Sequence, residues 1–444
     1  MKDVLILNAR IVSDGHITEG DLLISDGRIE QVGGDLGFRT ADLVMDVEGK
    51  VVLPGMIDDQ VHFRDPGAPH KADMHTESRA AVAGGITSFM DMPNTNPLTV
   101  TRDALEQKYS LAAEKSLANY AFYMGATNDN IDHIRALDPK LACGVKVFMG
   151  ASTGNMLVDR EEVLEAIFRD CPVLVATHCE DTPMILANEQ AYREKYGADV
   201  PMQYHPQIRS EEACYRSSSF AIGLARRHDT RLHVLHLTTA RELEQFDTSP
   251  LGFKRITAEA CVHHLYFDES DYDLKGTFIK CNPAIKTQED REAIRRAVID
   301  GRIDVIGTDH APHTLDEKLN TYFDAPAGLP LVQHALPMLL ELYFEGQFSL
   351  ELIAEKTAHA PARLFNVAER GHIQEGYWAD LTVVDLDKRY RVEREDVLYK
   401  CGWSPVEGRI FRSAVETTFV NGHRVYHQGA FDESAKGQRL IFDR

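Results

Sequence analysis

Short apolar runs separated by turn residues mark both ends of the chain. Residues 4–7, 21–25, 28–32 and 43–46 have the length and composition of strands, and Asp26-Gly27 falls between two of them as a hairpin turn. The last eighty residues repeat the pattern at 380–385, 416–420 and 424–427, with Asn421-Gly422 as another hairpin turn. Two β-rich ends around a different middle predict that the termini pair into one small β domain, drawn from residues 1–53 and 366–444.

The middle, residues 54–365, changes period. Apolar β-type runs fall at 56–62, 86–92, 118–125, 142–149, 173–178, 232–237, 256–262 and 303–309, with helical patterns between them. Thr287-Gln288-Glu289-Asp290 has the form of a capping box, opening a helix that ends before Gly301. Ser210-Glu211-Glu212 opens another, and residues 160–169 have helical periodicity. Eight strands alternating with helices over roughly 300 residues predict an α/β fold, a (β/α)8 TIM-type barrel carrying a small β-sandwich domain formed from both termini. A doubly wound open sheet competes with it, but no G-x-G-x-x-G follows a strand.

Charge and cysteine usage narrow the function classes. With 48 basic and 69 acidic side chains, the 444-residue chain carries a net charge of −21, which disfavours nucleic acid and anionic membrane surfaces. No run approaches the roughly 20 apolar residues of a membrane span. Met1, Lys2 and Asp3 precede only a short apolar run, unlike a secretory leader. The seven cysteines are scattered and form no C-x-x-C pair, as suits a reducing cytoplasm.

In a barrel of this type catalytic groups sit where strands end, and here metal-type ligands recur at those ends. The first run closes Asp58-Asp59-Gln60-Val61-His62-Phe63-Arg64, and alternation places Asp58, Gln60, His62 and Arg64 on one face. The fourth run carries Lys146, the fifth ends at His178, the sixth at His236, and the eighth at Asp309-His310-Ala311-Pro312-His313. One histidine among 19 is ordinarily a core or loop residue; apolar runs ending in His or Asp at four strands point to a metal site. Lys146 is ordinarily a snorkelling or ion-paired cation in such a run. A buried lysine with a depressed pKa, however, adds carbon dioxide and becomes an anionic carbamate.

Other signals point elsewhere. Gly150-Ala151-Ser152-Thr153-Gly154 lacks the G-K-[ST] of a phosphate loop and reads as a strand-to-helix loop. His263-His264 follow the seventh run, where a ligand is possible, but adjacent strand residues point oppositely, so the two cannot both chelate from one face. Cys179, beside His178, reads as a buried thiol rather than a nucleophile. Residues 314–330 are long enough for a lid.

Several segments taken together resemble a known family: Pro54-Gly55-Met56-Ile57-Asp58, His62-Phe63-Arg64-Asp65-Pro66-Gly67, Asp91-Met92-Pro93-Asn94-Thr95-Asn96-Pro97, Gly144-Val145-Lys146-Val147-Phe148-Met149, His178-Cys179-Glu180-Asp181, Lys280-Cys281-Asn282-Pro283 and Asp309-His310-Ala311-Pro312-His313. They are similar to the dihydroorotases, within the cyclic amidohydrolases that also include hydantoinases and allantoinases. The resemblance covers nearly the whole chain and implies zinc, one or two ions per chain. By motif position His62 and Asp309 would hold one ion, His178 and His236 the other, and Lys146, as N-carboxylysine, would bridge them. The family's first strand usually ends His-x-His; Gln60 replaces the first of the pair, a weaker and neutral ligand, which leaves the ion count open between one and two.

The implied reaction interconverts N-carbamoyl-L-aspartate and L-dihydroorotate, the ring-closing step of pyrimidine synthesis, with Asp309 as the catalytic proton carrier. The resemblance also implies that His62, Arg64, Asn94, Asn282, His313, Ala327 and Gly328 contact substrate, with Arg64, Asn94 and His313 on its carboxylate. It leaves as alternatives another cyclic amidohydrolase, acting on hydantoins, dihydropyrimidines or allantoin, and a catalytically silent partner of aspartate transcarbamoylase. A homodimer is the family expectation.

Overall fold

A computed structural model describes residues 2–150 and 156–444, so all of the loop at 150–154 except Gly150 lies outside the described residues. The N-terminal strands are β1 (Val4–Ser13), β2 (His16–Ser25), β3 (Arg28–Val32), β4 (Leu43–Asp46) and β5 (Val51–Pro54). Eight parallel positions follow: β6 (Met56–Val61), β7 (Ile86–Asp91), β8 (Asn119–Phe122) with its continuation β9 (Met124–Gly125), β10 (Val145–Phe148), β11 (Val175–His178), β12 (Leu232–Val234), β13 (Ile256–Cys261) and β14 (Val305–Gly307). Beyond them come β15 (Leu381–Asp385), a two-residue ribbon of β16 (Tyr390–Arg391) and β17 (Ile410–Phe411), then β18 (Ala414–Val420), β19 (His423–His427) and β20 (Ala430–Phe431).

The expected architecture is present. One sheet runs β6-β7-β8, a second runs β9 through β14 in order, and a parallel bridge from Val61 to His310 closes the ring between its first and last strands. Strand interiors are buried on both faces, as parallel barrel strands are. The helices anticipated between them are Glu161–Asp170, Glu211–His228 capped by Ser210, and Gln288–Asp300 capped by Thr287 and stopped at Gly301 in the left-handed conformation.

The small domain is a nine-stranded sheet in the order β20-β19-β18-β15-β5-β1-β2-β3, with β4 also on β1. Both chain ends meet in it: β5 pairs parallel with β1 and antiparallel with β15, Val51 lying opposite Val384. The hairpin turns at Asp26-Gly27 and Asn421-Gly422 have both residues at positive φ, which the twist of a two-residue connection requires. β5 is absent from the sequence reading, because its four apolar residues run almost directly into β6.

Two expectations are corrected. The sixth and eighth strands stop early, at Val234 and Gly307, so His236 and Asp309 lie beyond them with φ of +41° and +45°. His263 and His264 lie not on a strand but on the helical turn Val262–Tyr266, so alternation does not separate them. Their ring centroids are 4.0 Å apart.

Candidate active site

The strand ends converge on a cavity of about 30 Å³ lined by Gln60, His62, Lys146, Phe148, His178, His236, Asn282, Asp309, Ala311, Ala327 and Gly328. Nine of the residues singled out in the sequence therefore share one enclosure, drawn from five strand ends and from the segments after β13 and β14. Three site residues that are not glycine, Arg64, His236 and Asp309, have left-handed backbones. Such backbone costs on the order of 1–3 kcal/mol and persists where surrounding structure enforces it. Here it turns side chains into the barrel mouth just past the ends of their strands.

On one side, His178 Nε2 donates to Glu180 Oε2 at 2.9 Å. Burial alone raises the Glu180 carboxyl, but Arg209 and His178 pull it down further, to about 2, so it is ionised and accepts. Arg209 also bonds Glu180 directly. The His178 proton is thereby fixed on Nε2, and Nδ1 presents a lone pair 3.0 Å from His236 Nε2. Two imidazoles thus aim at one point, each held from behind: His178 through Glu180, His236 through its backbone N–H on Glu259 Oε2 at 3.1 Å.

On the other side, His62 Nδ1 lies 2.9 Å from Asn94 Oδ1, an acceptor, so Nδ1 carries the proton. His62 Nε2 then turns a lone pair toward Asp309 Oδ1 at 3.2 Å, two electron-rich atoms face to face. Burial pushes the His62 pKa down, which disfavours an imidazolium as the remedy, whereas a cation between the two satisfies both. Asp309 is burdened by burial, yet the positive charge and donors around it hold it below the usual carboxylate range. The donor set fits a divalent ion of the zinc type. Gln60 does not present its oxygen here: its amide N–H donates to Asp309 Oδ1 at 3.1 Å.

Lys146 lies between these halves on β10, with its Nζ 4.8 Å from the Phe148 ring centre. Burial pushes its ammonium down to about 8, against the opposing pull of Asp309 and Glu259. Asp58 does not line the cavity; it is buried and accepts from Thr308 Oγ1 at 2.6 Å. Cys179 is a buried thiol raised to about 12, bonded to Thr177 Oγ1 at 3.3 Å.

A cationic patch adjoins the mouth. Arg64 Nε donates to the Pro312 carbonyl at 3.1 Å, and its NH2 lies 3.1 Å from His313 Nε2. His313 Nδ1 accepts from Lys71 Nζ at 3.0 Å, leaving Nε2–H to donate to the Ala327 carbonyl at 3.0 Å. Lys71 in turn pairs with Glu317 at 2.7 Å. Asn282 brings a buried Oδ1 that has no partner among the described residues.

The segment after β14 folds over the cavity. Lys318 Nζ donates to the Pro326 and Gly328 carbonyls at 2.8 and 3.0 Å, and Lys280 Nζ to the Ala325 carbonyl at 2.7 Å. A side chain at Gly328 would place Cβ 2.3 Å from the Ala311 carbonyl oxygen, so only glycine fits. The sequence reading gave no role to Glu180, Arg209 or Lys71. Glu180 carried a signal, two residues from His178 in the same motif; Arg209 and Lys71 reach the site from distant segments and carried none.

Residues 51–425 match the profile described as "Amidohydrolase family". A dihydroorotase of Halobacterium salinarum is 36% identical over 412 residues, covering 90% of this chain and 93% of that one. An allantoinase of Solibacter usitatus is 30% identical over 449 residues, 99% and 97% of the two chains. The solved L-hydantoinase (dihydropyrimidinase) of Arthrobacter aurescens superimposes with a TM-score of 0.93 at 27% identity, covering 99% of this chain and all of that one. Among the described residues no helix is long and apolar enough to cross a membrane.

Proposed function

The chain belongs to the amidohydrolase family, and from that premise we propose that it is a dihydroorotase, closing N-carbamoyl-L-aspartate to L-dihydroorotate and running the reverse hydrolysis. The observation that carries this reading is the partly buried Arg64–His313 patch at the mouth of a histidine- and aspartate-lined cavity. A planar guanidinium holds a carboxylate through parallel charge-assisted hydrogen bonds, and of the candidate ring substrates dihydroorotate is the one with a carboxylate to be held.

His62 and Asp309 would hold one divalent ion of the zinc type and His178 and His236 a second, with Lys146 as a carbamate between them. When bound, the metal supplies Lewis-acid polarisation of the reacting carbonyl and lowers the pKa of water. The chain's own residues do the rest. In hydrolysis Asp309, ionised at neutral pH, accepts the proton of the attacking water and delivers it to the ring nitrogen as the amide bond breaks. In closure Asp309 takes the ureido N–H proton as that nitrogen bonds to the carbon of the protonated carboxyl, and gives it to the departing hydroxyl, which leaves as water. Arg64, His313 and Asn94 hold the substrate carboxylate, Asn282 Oδ1 accepts from a ring N–H, and the backbone at Ala327 and Gly328 covers the ring. Closure turns a dianion into a monoanion and consumes one proton, so it is favoured on the acid side.

A second reading, hydrolysis of an uncharged ring, is supported by the backbone agreement with the hydantoinase. The test is direct assay of the full chain, loaded with zinc and bicarbonate, on N-carbamoyl-L-aspartate, dihydroorotate, hydantoin and allantoin. Turnover of the first two is expected. Turnover restricted to the uncharged rings, or none at all, overturns the assignment.

A further inference from the structure

A second constellation of donors sits behind the cavity. Cys261 closes β13, and the helical turn after it carries His263 and His264. All three are buried, none lines the cavity, and one ligand atom from each lies within 4.8 Å of the others.

Their hydrogen bonding is unfinished in a particular way. His264 Nε2 donates to the Pro283 carbonyl at 3.1 Å, which fixes the tautomer and leaves Nδ1 a bare, buried lone pair without a partner among the described residues. Metal-binding imidazoles are oriented in this way, with the second nitrogen donating to a carbonyl or carboxylate. His263 has the Asp309 carboxylate and the Thr308 backbone in its surroundings, and neither of its ring nitrogens meets a partner at hydrogen-bonding geometry among the described residues. An interior imidazole left so carries the desolvation penalty of an unmet polar group. Beside them Cys261 Sγ lies 3.5 Å from Glu259 Oε1 and 3.9 Å from Gln60 Oε1, the oxygen that Gln60 turns away from Asp309.

We propose that Cys261, His263 and His264 bind a divalent cation of the zinc type in a site of their own. One sulfur and two nitrogens form a borderline-soft set of the kind zinc takes. On binding, the thiol proton leaves to solvent and the thiolate sulfur takes the ion. Tetrahedral bonds of the usual lengths place sulfur and nitrogen about 3.5 Å apart. The ion would brace the segment that presents Asn282, since His264 grips Pro283 on one side and Cys281 Sγ lies 3.7 Å from its Nε2 on the other. The inference does not depend on the reaction assigned above.

The test is cobalt(II) loading of the full chain, read by ions bound per chain and by the near-ultraviolet thiolate-to-cobalt charge-transfer band. The band is expected in the unaltered protein and in Lys146→Ala, and its loss, with one ion fewer, in Cys261→Ser. Absence of the band from the unaltered protein, or an unchanged ion count in Cys261→Ser, overturns the site. Loss of the band in Lys146→Ala also overturns it, by assigning the thiolate to the cavity's own ion. If Cys261→Ser does not fold, His263→Gln takes its place: it must lose an ion and weaken or abolish the band, and an unchanged spectrum and count refute the proposal.

Discussion

Replacing Arg64 by alanine removes the cation held to be the anchor of the substrate carboxylate. Its Nε is committed to the Pro312 carbonyl, so the terminal N–H groups remain for a ligand. Two charge-assisted hydrogen bonds contribute about 1.5–3 kcal/mol each. Lys71 does not stand in for them, being tied to Glu317 at 2.7 Å and to His313 at 3.0 Å. Taking the lower end, the loss of about 3 kcal/mol lowers kcat/KM for dihydroorotate roughly 150-fold. The fall is carried mainly by KM, because the carboxylate lies away from the bond being broken. Arg64→Lys keeps one charged donor but loses the fork, and should fall less far, about tenfold. The assay is steady-state hydrolysis of dihydroorotate beside dihydrouracil, the same ring without the carboxylate, with bound metal measured on each sample. Metal content is expected to stay constant while the preference for dihydroorotate collapses. Equal losses on both substrates, or unchanged kinetics on dihydroorotate, would refute the anchor.

Further outcomes are expected elsewhere. Lys146→Ala should lose bound metal and activity together, with partial recovery in short carboxylic acids; retained metal and rate would dispose of the carbamate. Glu180→Gln should weaken metal retention about 10–100-fold against a competing chelator, because His178 loses the partner that fixes its proton; unaltered retention would mean that the ring is oriented by packing alone. Burial pushes the Glu242 carboxyl from 4.5 up to about 7, so between those values the folded chain keeps a proton that the unfolded chain has released. Stability from this group is therefore full below about pH 4.5, falls as pH rises to about 7, and stays lower by about 3 kcal/mol above it. Glu242→Gln should raise the denaturation midpoint near pH 8 and barely move it near pH 4.5; equal shifts at both would contradict the assignment.

The barrel was legible because each strand is a short apolar run, and runs of that kind have few other uses in a chain of this length. The donors were legible because they terminate those runs. What the periodicity could not show was where hydrogen bonding stops. His236 and Asp309 read as the ends of strands, but they stand past them in backbone conformations that no apolar pattern encodes. The same blindness misplaced His263 and His264, whose strand gives way to a helical turn at Val262. Groups that act through a neighbour fared worst. Arg209 meets Glu180 and Lys71 meets His313 only once the chain is folded, since sequence distance hides which cations share a pocket.

The pairing of Val51 with Val384 has a consequence for synthesis of the chain. The ribosome adds roughly 5–20 residues per second, so β5 emerges on the order of twenty seconds to a minute before its antiparallel neighbour exists. Through that interval one edge of an apolar ribbon has no mate, and such edges recruit other nascent chains. Biogenesis therefore calls for a holdase, or for a slow-forming amino-terminal hairpin that shields its own edge until the final strands arrive.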